Sequence, residues 1–257
     1  MWFNGKYFSC KLIISGPIYE FYDYEKPQRK GYQLKKKCCR ILGRASKADD
    51  EERIENRIKT LHRARSKLRR LINTNIGTFK DERGDPYKPK FATLTFAENL
   101  KNLKITNKTF RKFIKKLNYL LGYNVEYNGV PEFQKRGAVH YHVIFYNLPY
   151  IPAGKLAEIW GQGYIKINKI DDVDNVGAYV CKYLGKNVSD ERLAGNKCYF
   201  SSRGLKKPVE IIEETQVESV RTALPEPSKT FESIFHNDYT GKVEYTQYNL
   251  MRVCTDV

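Results

Sequence analysis

The chain has 257 residues, with 46 basic and 29 acidic side chains, so its formal net charge is +17 and its pI is about 9.5. Apolar residues make up 41% of it, which is enough for a packed core and excludes a disordered basic tail. No run resembles a membrane span or a signal peptide, and the six cysteines lack the paired spacing of a zinc site or a disulfide scaffold. We therefore expect a reduced, cytoplasmic, globular protein whose charge attracts a polyanion.

The basic residues are concentrated in the first two thirds of the chain. Basic clusters lie at Lys35-Lys36-Lys37, over residues 57–70 and over residues 101–116, and tyrosines are interleaved with them. A surface that offers both positive charge and stacking faces suits a nucleic acid.

Two short strands are predicted within residues 6–25, around Gly16-Pro17, and residues 26–47 read as a polar, basic loop. We treat residues 1–47 as an N-terminal extension.

A basic amphipathic helix is predicted over residues 48–76, starting at Asp49 or Asp50 and ending at Gly77. Its apolar positions recur at steps of three, four or seven: Ile54, Ile58, Leu61, Leu68, Leu71 and Ile72.

Residues 88–207 alternate between strand and helix patterns. Strands are predicted over 90–96, 123–134, 139–146 and 163–170, and helices over 106–121, 153–160 and 172–185. This order predicts an α+β fold with a ferredoxin/RRM-like central antiparallel sheet and helices on one face. Residues 208–257 form a C-terminal extension, with a hairpin expected over 231–250 about Thr240-Gly241.

Two histidines lie one residue apart in a predicted strand, so His140 and His142 point to one face of the sheet. The preceding strand carries Glu132 and Gln134. If the connecting loop is 136–138, then 134 lies opposite 140 and 132 opposite 142, and all four side chains share a face. A two-residue loop would separate them.

Two imidazoles and one carboxylate on adjacent strands make an open site for Mg²⁺ or Mn²⁺, with Glu132, His140 and His142 as ligands. The alternative is a polar stripe on a half-buried strand.

A second constellation lies on the helix after the fourth strand. Tyr179 and Tyr183 are an i, i+4 pair, and each is followed three residues later by a lysine, Lys182 or Lys186. Free tyrosine has a pKa of about 10 and is a poor nucleophile, so a nearby positive charge matters. Packing is the alternative use of such a pair. Cys181 lies off this face and is expected to be a small buried hydrophobe.

Together these features resemble the HUH endonucleases, above all the rolling-circle replication initiators of plasmids and single-stranded DNA phages. Residues 91–96 resemble the first motif of that family, Glu132 with His140 and His142 the metal motif, and 179–183 the nucleophile motif.

The resemblance covers about residues 60–210. It implies an HUH nuclease core that nicks origin DNA by metal-assisted tyrosine attack, leaving a 5′-phosphotyrosyl link and a free 3′-hydroxyl. It further implies Tyr179 as the first nucleophile and Tyr183 as the second, with the reverse order open, and Lys182 and Lys186 beside them.

The implied partner is single-stranded or hairpin origin DNA in a bacterial cell or bacterial host. The chain contains no phosphate-binding loop of the Gly-x-x-x-x-Gly-Lys-Ser/Thr type, so a host helicase and polymerase are expected as partners. No membrane is involved.

Fainter candidates for DNA contact are Gln134, Arg203, Lys206 and Lys207, for which solvated surface charge is the alternative. Tyr127, Tyr141 and Tyr146 are candidates for base stacking, although Tyr141 should point away from the histidines. An Asp171-Asp172-Asp174 run is expected to cap a helix rather than bind metal.

Two other functions stay open. A relaxase or transposase would use the same chemistry. A non-catalytic basic nucleic-acid-binding protein would use a ferredoxin-like sheet as an aromatic platform.

Overall fold

The computed structural model describes residues 6–30, 50–170, 174–185 and 196–255, with the backbone alone at 50–54, 183–185 and 253–255. The chain divides into two compact units, one made of residues 1–55 with 208–257 and the other of residues 56–207.

The described elements alternate between strand and helix along the whole chain. The strands are β1 (Lys6–Ser15), β2 (Ile18–Lys30), β3 (Lys90–Thr95), β4 (Tyr127–Phe133), β5 (Val139–Phe145), β6 (Ile165–Lys169), β7 (Phe200–Ser201), β8 (Val209–Ile211), β9 (Lys229–Asn237) and β10 (Gly241–Asn249). The helices are α1 (Asp50–Asn75), α2 (Leu103–Leu121), α3 (Ala153–Trp160), α4 (Val176–Gly185) and α5 (Glu214–Ala223), with 3₁₀ turns at Glu226–Ser228 and Leu250–Thr255.

The predicted α+β class is confirmed. The central sheet of residues 56–207 is antiparallel and has the strand order β6-β3-β5-β4-β7. Its chain order β3-α2-β4-β5-α3-β6 is the βαββαβ order of ferredoxin-like folds.

One face of this sheet packs on α2 and α3. The side chains of Leu94, Tyr141 and Phe145 are buried there against Phe110 and Trp160. These residues alternate along each strand, as the period of two requires.

The start of α2 differs from the prediction, which placed it at Thr106 or Asn107. The Asn102 Oδ1 atom accepts hydrogen bonds from the backbone N–H of Lys104 (2.9 Å) and Ile105 (3.3 Å), which caps the helix one turn earlier.

The opposite face of the sheet is also covered by helices, whereas we predicted helices on one face. Leu68 and Ile72 of α1 and Val180 of α4 pack against Phe91 and Ile144. The strands carry large apolar residues at both alternating positions, so both faces must be buried.

The second unit is built from both ends of the chain. Its antiparallel sheet has the order β8-β1-β2-β10-β9, and α5 covers one face over Leu12, Phe21 and Tyr248. The predicted strands around Gly16-Pro17 and the hairpin about Gly241 are confirmed. Pairing of β2 with β10 joins what we had treated as two separate extensions.

Within the described residues, no helix is long and apolar enough to cross a membrane.

Candidate active site

The β4–β5 hairpin brings the predicted metal ligands onto one sheet face. Glu132 pairs with His140, and Val130 with His142. Because both positions of each pair point to the same side, Glu132, Gln134, His140 and His142 lie on the face that the parity of the loop predicted.

The register of this hairpin differs by two from the predicted one. The backbone N–H of Gln134 donates to the Ala138 carbonyl (2.9 Å), so the loop is residues 135–137 and not 136–138. Gly137 has φ +92° and its N–H donates to the Gln134 carbonyl (2.8 Å). The left-handed residue that ends a three-residue hairpin loop favours glycine, and this sets the register.

His142 is held by hydrogen bonds at both ring nitrogens. Its Nε2 atom lies 2.5 Å from Glu132 Oε2, and its Nδ1 atom lies 3.2 Å from Thr93 Oγ1. The residue is only 6% exposed. Two partners on opposite edges fix the orientation of the ring.

His140 differs from its neighbour. The two ring centroids are 6.5 Å apart, and the buried Nε2 atom of His140 has no hydrogen-bond partner among the described residues. Burial, aided by the adjacent His142, lowers the pKa of His140 to about 4, against a small opposing effect of Glu132. At neutral pH the ring is therefore neutral and keeps a lone pair available for a ligand.

We tested whether these residues fit a divalent ion. In the part of the chain that the structure describes, no group of three or more His, Cys, Asp or Glu side chains is arranged to hold a metal ion. The donor set nonetheless suits one, because an unpartnered imidazole nitrogen on His140 shares a face with the Glu132 carboxylate and His142. Coordination would require Glu132 and His142 to exchange their mutual hydrogen bond for bonds to the ion.

Tyr179 lies beside the same sheet face. It is 38% exposed, and its ring meets Phe91 edge to face at a centroid distance of 5.9 Å. On its other side Phe91 stacks on His142, at 5.8 Å with 6° between the ring planes. One aromatic ring therefore separates the candidate nucleophile from a candidate metal ligand. The β-strand pattern predicted Phe91 as a strand residue but contained no signal for this spacing role.

The surroundings of Tyr179 include one positive charge. Lys182 is exposed, and its Nζ atom lies 5.8 Å from the centroid of the Tyr179 ring. The side chain of Tyr183 and the whole of Lys186 lie outside the described residues. The roles of the two tyrosines therefore stay predictions.

Helix α4 is seated on α1 by a close backbone approach. Asn73 of α1 accepts from the Gly177 N–H through Oδ1 (2.7 Å) and donates from Nδ2 to Asn175 Oδ1 (3.0 Å). Asn175 in turn caps α4 by accepting from the Ala178 N–H (2.9 Å). We had expected an aspartate cap, and Asp171 and Asp172 lie outside the described residues.

Cys181 is not a candidate nucleophile. It is 1% exposed, its thiol donates to the Arg65 carbonyl (3.4 Å), and burial raises its pKa to about 12. The thiol therefore stays protonated and inert at neutral pH.

The predicted DNA-contact residues lie in two places. Arg203, Lys206 and Lys207 are exposed, and Asn75 holds the backbone of Lys206 through two hydrogen bonds of 2.9 Å. Gln134 accepts from Arg136 Nε (2.8 Å) on the hairpin. Their contact with DNA stays a prediction.

The prediction of base stacking by Tyr127, Tyr141 and Tyr146 is wrong. Tyr141 and Tyr146 are fully buried, and Tyr127 is half-buried against Phe110. Tyr141 points away from the histidines, as expected, and its hydroxyl lies 2.8 Å from Thr106 Oγ1. Because helices cover both sheet faces, these rings belong to the core.

Comparison with known proteins gave one match. The family model described as replication-associated protein ORF2 matches residues 89–188, a span that contains Glu132, His140, His142 and Tyr179. No curated protein and no solved structure matched the chain. Over residues 89–188 the chain is thus similar to replication-associated proteins of the ORF2 family, which supports its interpretation as an initiator of replication.

Proposed function

We propose that this protein starts rolling-circle replication by nicking single-stranded origin DNA, with a tyrosine as the nucleophile. The observation that carries the proposal is the sequence of contacts from Glu132 through His142 and Phe91 to Tyr179. It brings a carboxylate, imidazoles and an exposed phenol to one side of the sheet. The family match over residues 89–188 supports it independently.

The proposed reaction is a transesterification at phosphorus. The Tyr179 oxygen attacks the scissile phosphate and loses its proton, the bond from phosphorus to the 3′-oxygen breaks, and that oxygen takes up a proton. The products are a 5′-phosphotyrosyl link and a free 3′-hydroxyl that can prime synthesis. One diester replaces another, so the strand can be rejoined by the reverse attack.

Glu132, His140 and His142 would hold the ion, Mg²⁺ or Mn²⁺. When bound, the ion would polarise the scissile phosphate and neutralise the charge that develops there. Thr93 keeps the His142 ring oriented through Nδ1. Lys182 adds a positive charge next to Tyr179, where the phosphate would lie.

A second nucleophile is needed to end a round of replication. Tyr183 lies one helical turn after Tyr179 in α4, so it can follow Tyr179 as the acceptor in a later strand transfer.

The rival function is a non-catalytic protein that binds nucleic acid on a ferredoxin-like sheet. Such a protein displays aromatic residues on an open sheet face. Here Tyr141 and Tyr146 are buried instead, which favours the nickase. A relaxase or transposase would share the same site chemistry.

The test is formation of a covalent protein–DNA adduct. Single-stranded DNA labelled at its 3′ end, drawn from a pool of random sequence, is incubated with the protein and Mn²⁺ and resolved on a denaturing gel. The label travels with the protein because the 5′ side of the downstream fragment becomes linked to tyrosine. We expect a protease-sensitive adduct that EDTA prevents.

Variants assign the nucleophiles. We expect Tyr179→Phe to abolish the adduct, and Tyr183→Phe to retain it while impairing the later transfer. Tyr119→Phe, at an exposed tyrosine of α2, is the control and should behave as wild type. DNA that is bound but never linked would replace the nickase with the non-catalytic binding protein.

A further inference from the structure

Helix α2 carries an unusual concentration of positive charge. From residue 99 to residue 125 the chain has no acidic residue. Six basic side chains of α2 are exposed, and we call them the α2 basic face: Lys104, Lys108, Arg111, Lys112, Lys115 and Lys116.

These charges are not neutralised within the protein. Among the residues that the structure describes, none of the six is paired with a carboxylate, and the hydrogen bonds of Arg111 and Lys116 go to backbone carbonyls. Basic residues elsewhere are paired, as Lys6 with Glu213 (3.1 Å) and Lys242 with Glu244 (2.8 Å) show. The α2 basic face therefore keeps its full field for an external anion.

The spacing of the charges suits a phosphate backbone. Lys104, Lys108, Arg111 and Lys115 follow the i, i+4, i+7, i+11 pattern and form one stripe along the helix. At about 1.5 Å per residue, the stripe is about 16 Å long. A rigid row of cations over that length faces several successive phosphates of one duplex.

The composition of the stripe favours duplex over single-stranded DNA. Single strands are bound by aromatic side chains that stack on the bases. The aromatic residues within the stripe, Phe110 and Phe113, are buried under α2 and cannot stack.

The α2 basic face lies on the other side of the sheet from the candidate active site. Helix α2 packs on the face that carries Tyr141, while His140 and His142 point to the opposite face. DNA bound along α2 would therefore leave the nicking site open.

We infer that the α2 basic face binds the phosphate backbone of duplex DNA outside the strand being nicked. This contact is independent of sequence and holds the protein on the replicon while the opposite sheet face acts on a single strand. The inference rests on the proposed function only in taking DNA as the polyanion.

The test is the salt dependence of duplex binding. The full chain is titrated into a labelled duplex of about 30 base pairs in EDTA, so that no cleavage occurs, over a range of NaCl concentrations. The variant is Lys108→Gln, Lys112→Gln, Lys115→Gln. The control, Lys6→Gln, Lys229→Gln, Lys242→Gln, changes the net charge equally but at lysines already paired with carboxylates.

Each lost phosphate contact lowers the steepness of log K against log [NaCl] by about 0.9. We expect the α2 variant to lose about 2 to 3 from this slope and at least about tenfold in affinity at about 0.1 M NaCl, with the control close to wild type. Adduct formation on a short single strand should be unchanged in the variant.

Equal slopes for the variant and the control would overturn the inference, as would an equal loss of single-strand binding. If wild type forms no adduct but the α2 variant loses duplex affinity, the nickase proposal fails and the α2 inference stands.

Discussion

The imidazole of His142 is the most constrained side chain of the candidate site. Glu132 contacts Nε2 and Thr93 contacts Nδ1, so neither ring edge is left to rotate freely. A partner on the second nitrogen of a metal-binding histidine fixes its tautomer and its orientation. Thr93 is thus a positioning residue for His142, whereas its alternation in β3 alone indicated only strand packing.

At this scale we predict the effect of Thr93→Val. The substitution removes the hydrogen bond to Nδ1 at nearly constant volume, and we expect adduct formation to need about 10 to 100 times more Mn²⁺, or to slow by that factor. The measurement is the initial rate against Mn²⁺ concentration. Thr95→Val is the control, since Thr95 Oγ1 donates to the Tyr164 carbonyl (2.9 Å) instead. Equal rates for the two variants would remove Thr93 from the site.

At the scale of elements, the position of Tyr179 depends on how α4 meets α1. A Cβ atom on Gly177 would lie 2.7 Å from Asn73 Oδ1 and still closer to the Arg69 carbonyl oxygen. Only glycine permits this approach. The contact is what brings the tyrosine helix to the sheet face of His142.

Two glycine substitutions in helices should therefore have opposite signs. Helix propensity alone favours alanine over glycine. At Gly154 of α3 a Cβ meets nothing within 4 Å, so Gly154→Ala should stabilise the fold by about 0.5 kcal/mol. At Gly177 the overlap outweighs propensity, and Gly177→Ala should destabilise by about 1–3 kcal/mol and lower the adduct yield. Denaturant unfolding measures both, and a stabilised Gly177→Ala protein would contradict the close packing.

At the scale of the whole molecule, each unit has its own core. The two buried clusters of residues 56–207 draw on β3 to β7 and on α1 to α4, whereas the cluster of the other unit draws on β1, β2, β8, β10 and α5. Each set buries its apolar faces against members of its own unit.

We predict that residues 50–207, which keep α1 whole, fold on their own. The expected result is a single cooperative unfolding transition and retention of adduct formation. Cutting the chain at residue 207 instead should destabilise β1 and β2, because β2 loses its partner β10. A fragment 50–207 without a cooperative transition would show that its clusters are not sufficient.

Local patterns predicted the elements and the chemistry of the site well. The period of two in β5 puts His140 and His142 on one face, and the odd length of the β4–β5 loop adds Glu132. The exact register was missed because it depends on which loop residue takes a positive φ, and Gly137 decides that.

By itself, the sequence determined the basic character of the chain, the alternation of strands and helices in the core, and the candidate Glu, His and Tyr residues. These depend on composition and on periodicity over a few residues. Tertiary structure alone decided that α1 and α4 bury the second sheet face, that Phe91 lies between His142 and Tyr179, and that the two chain ends share one sheet. Such contacts join residues far apart in the chain, and their free energy comes from burying complementary surfaces, which no local pattern contains.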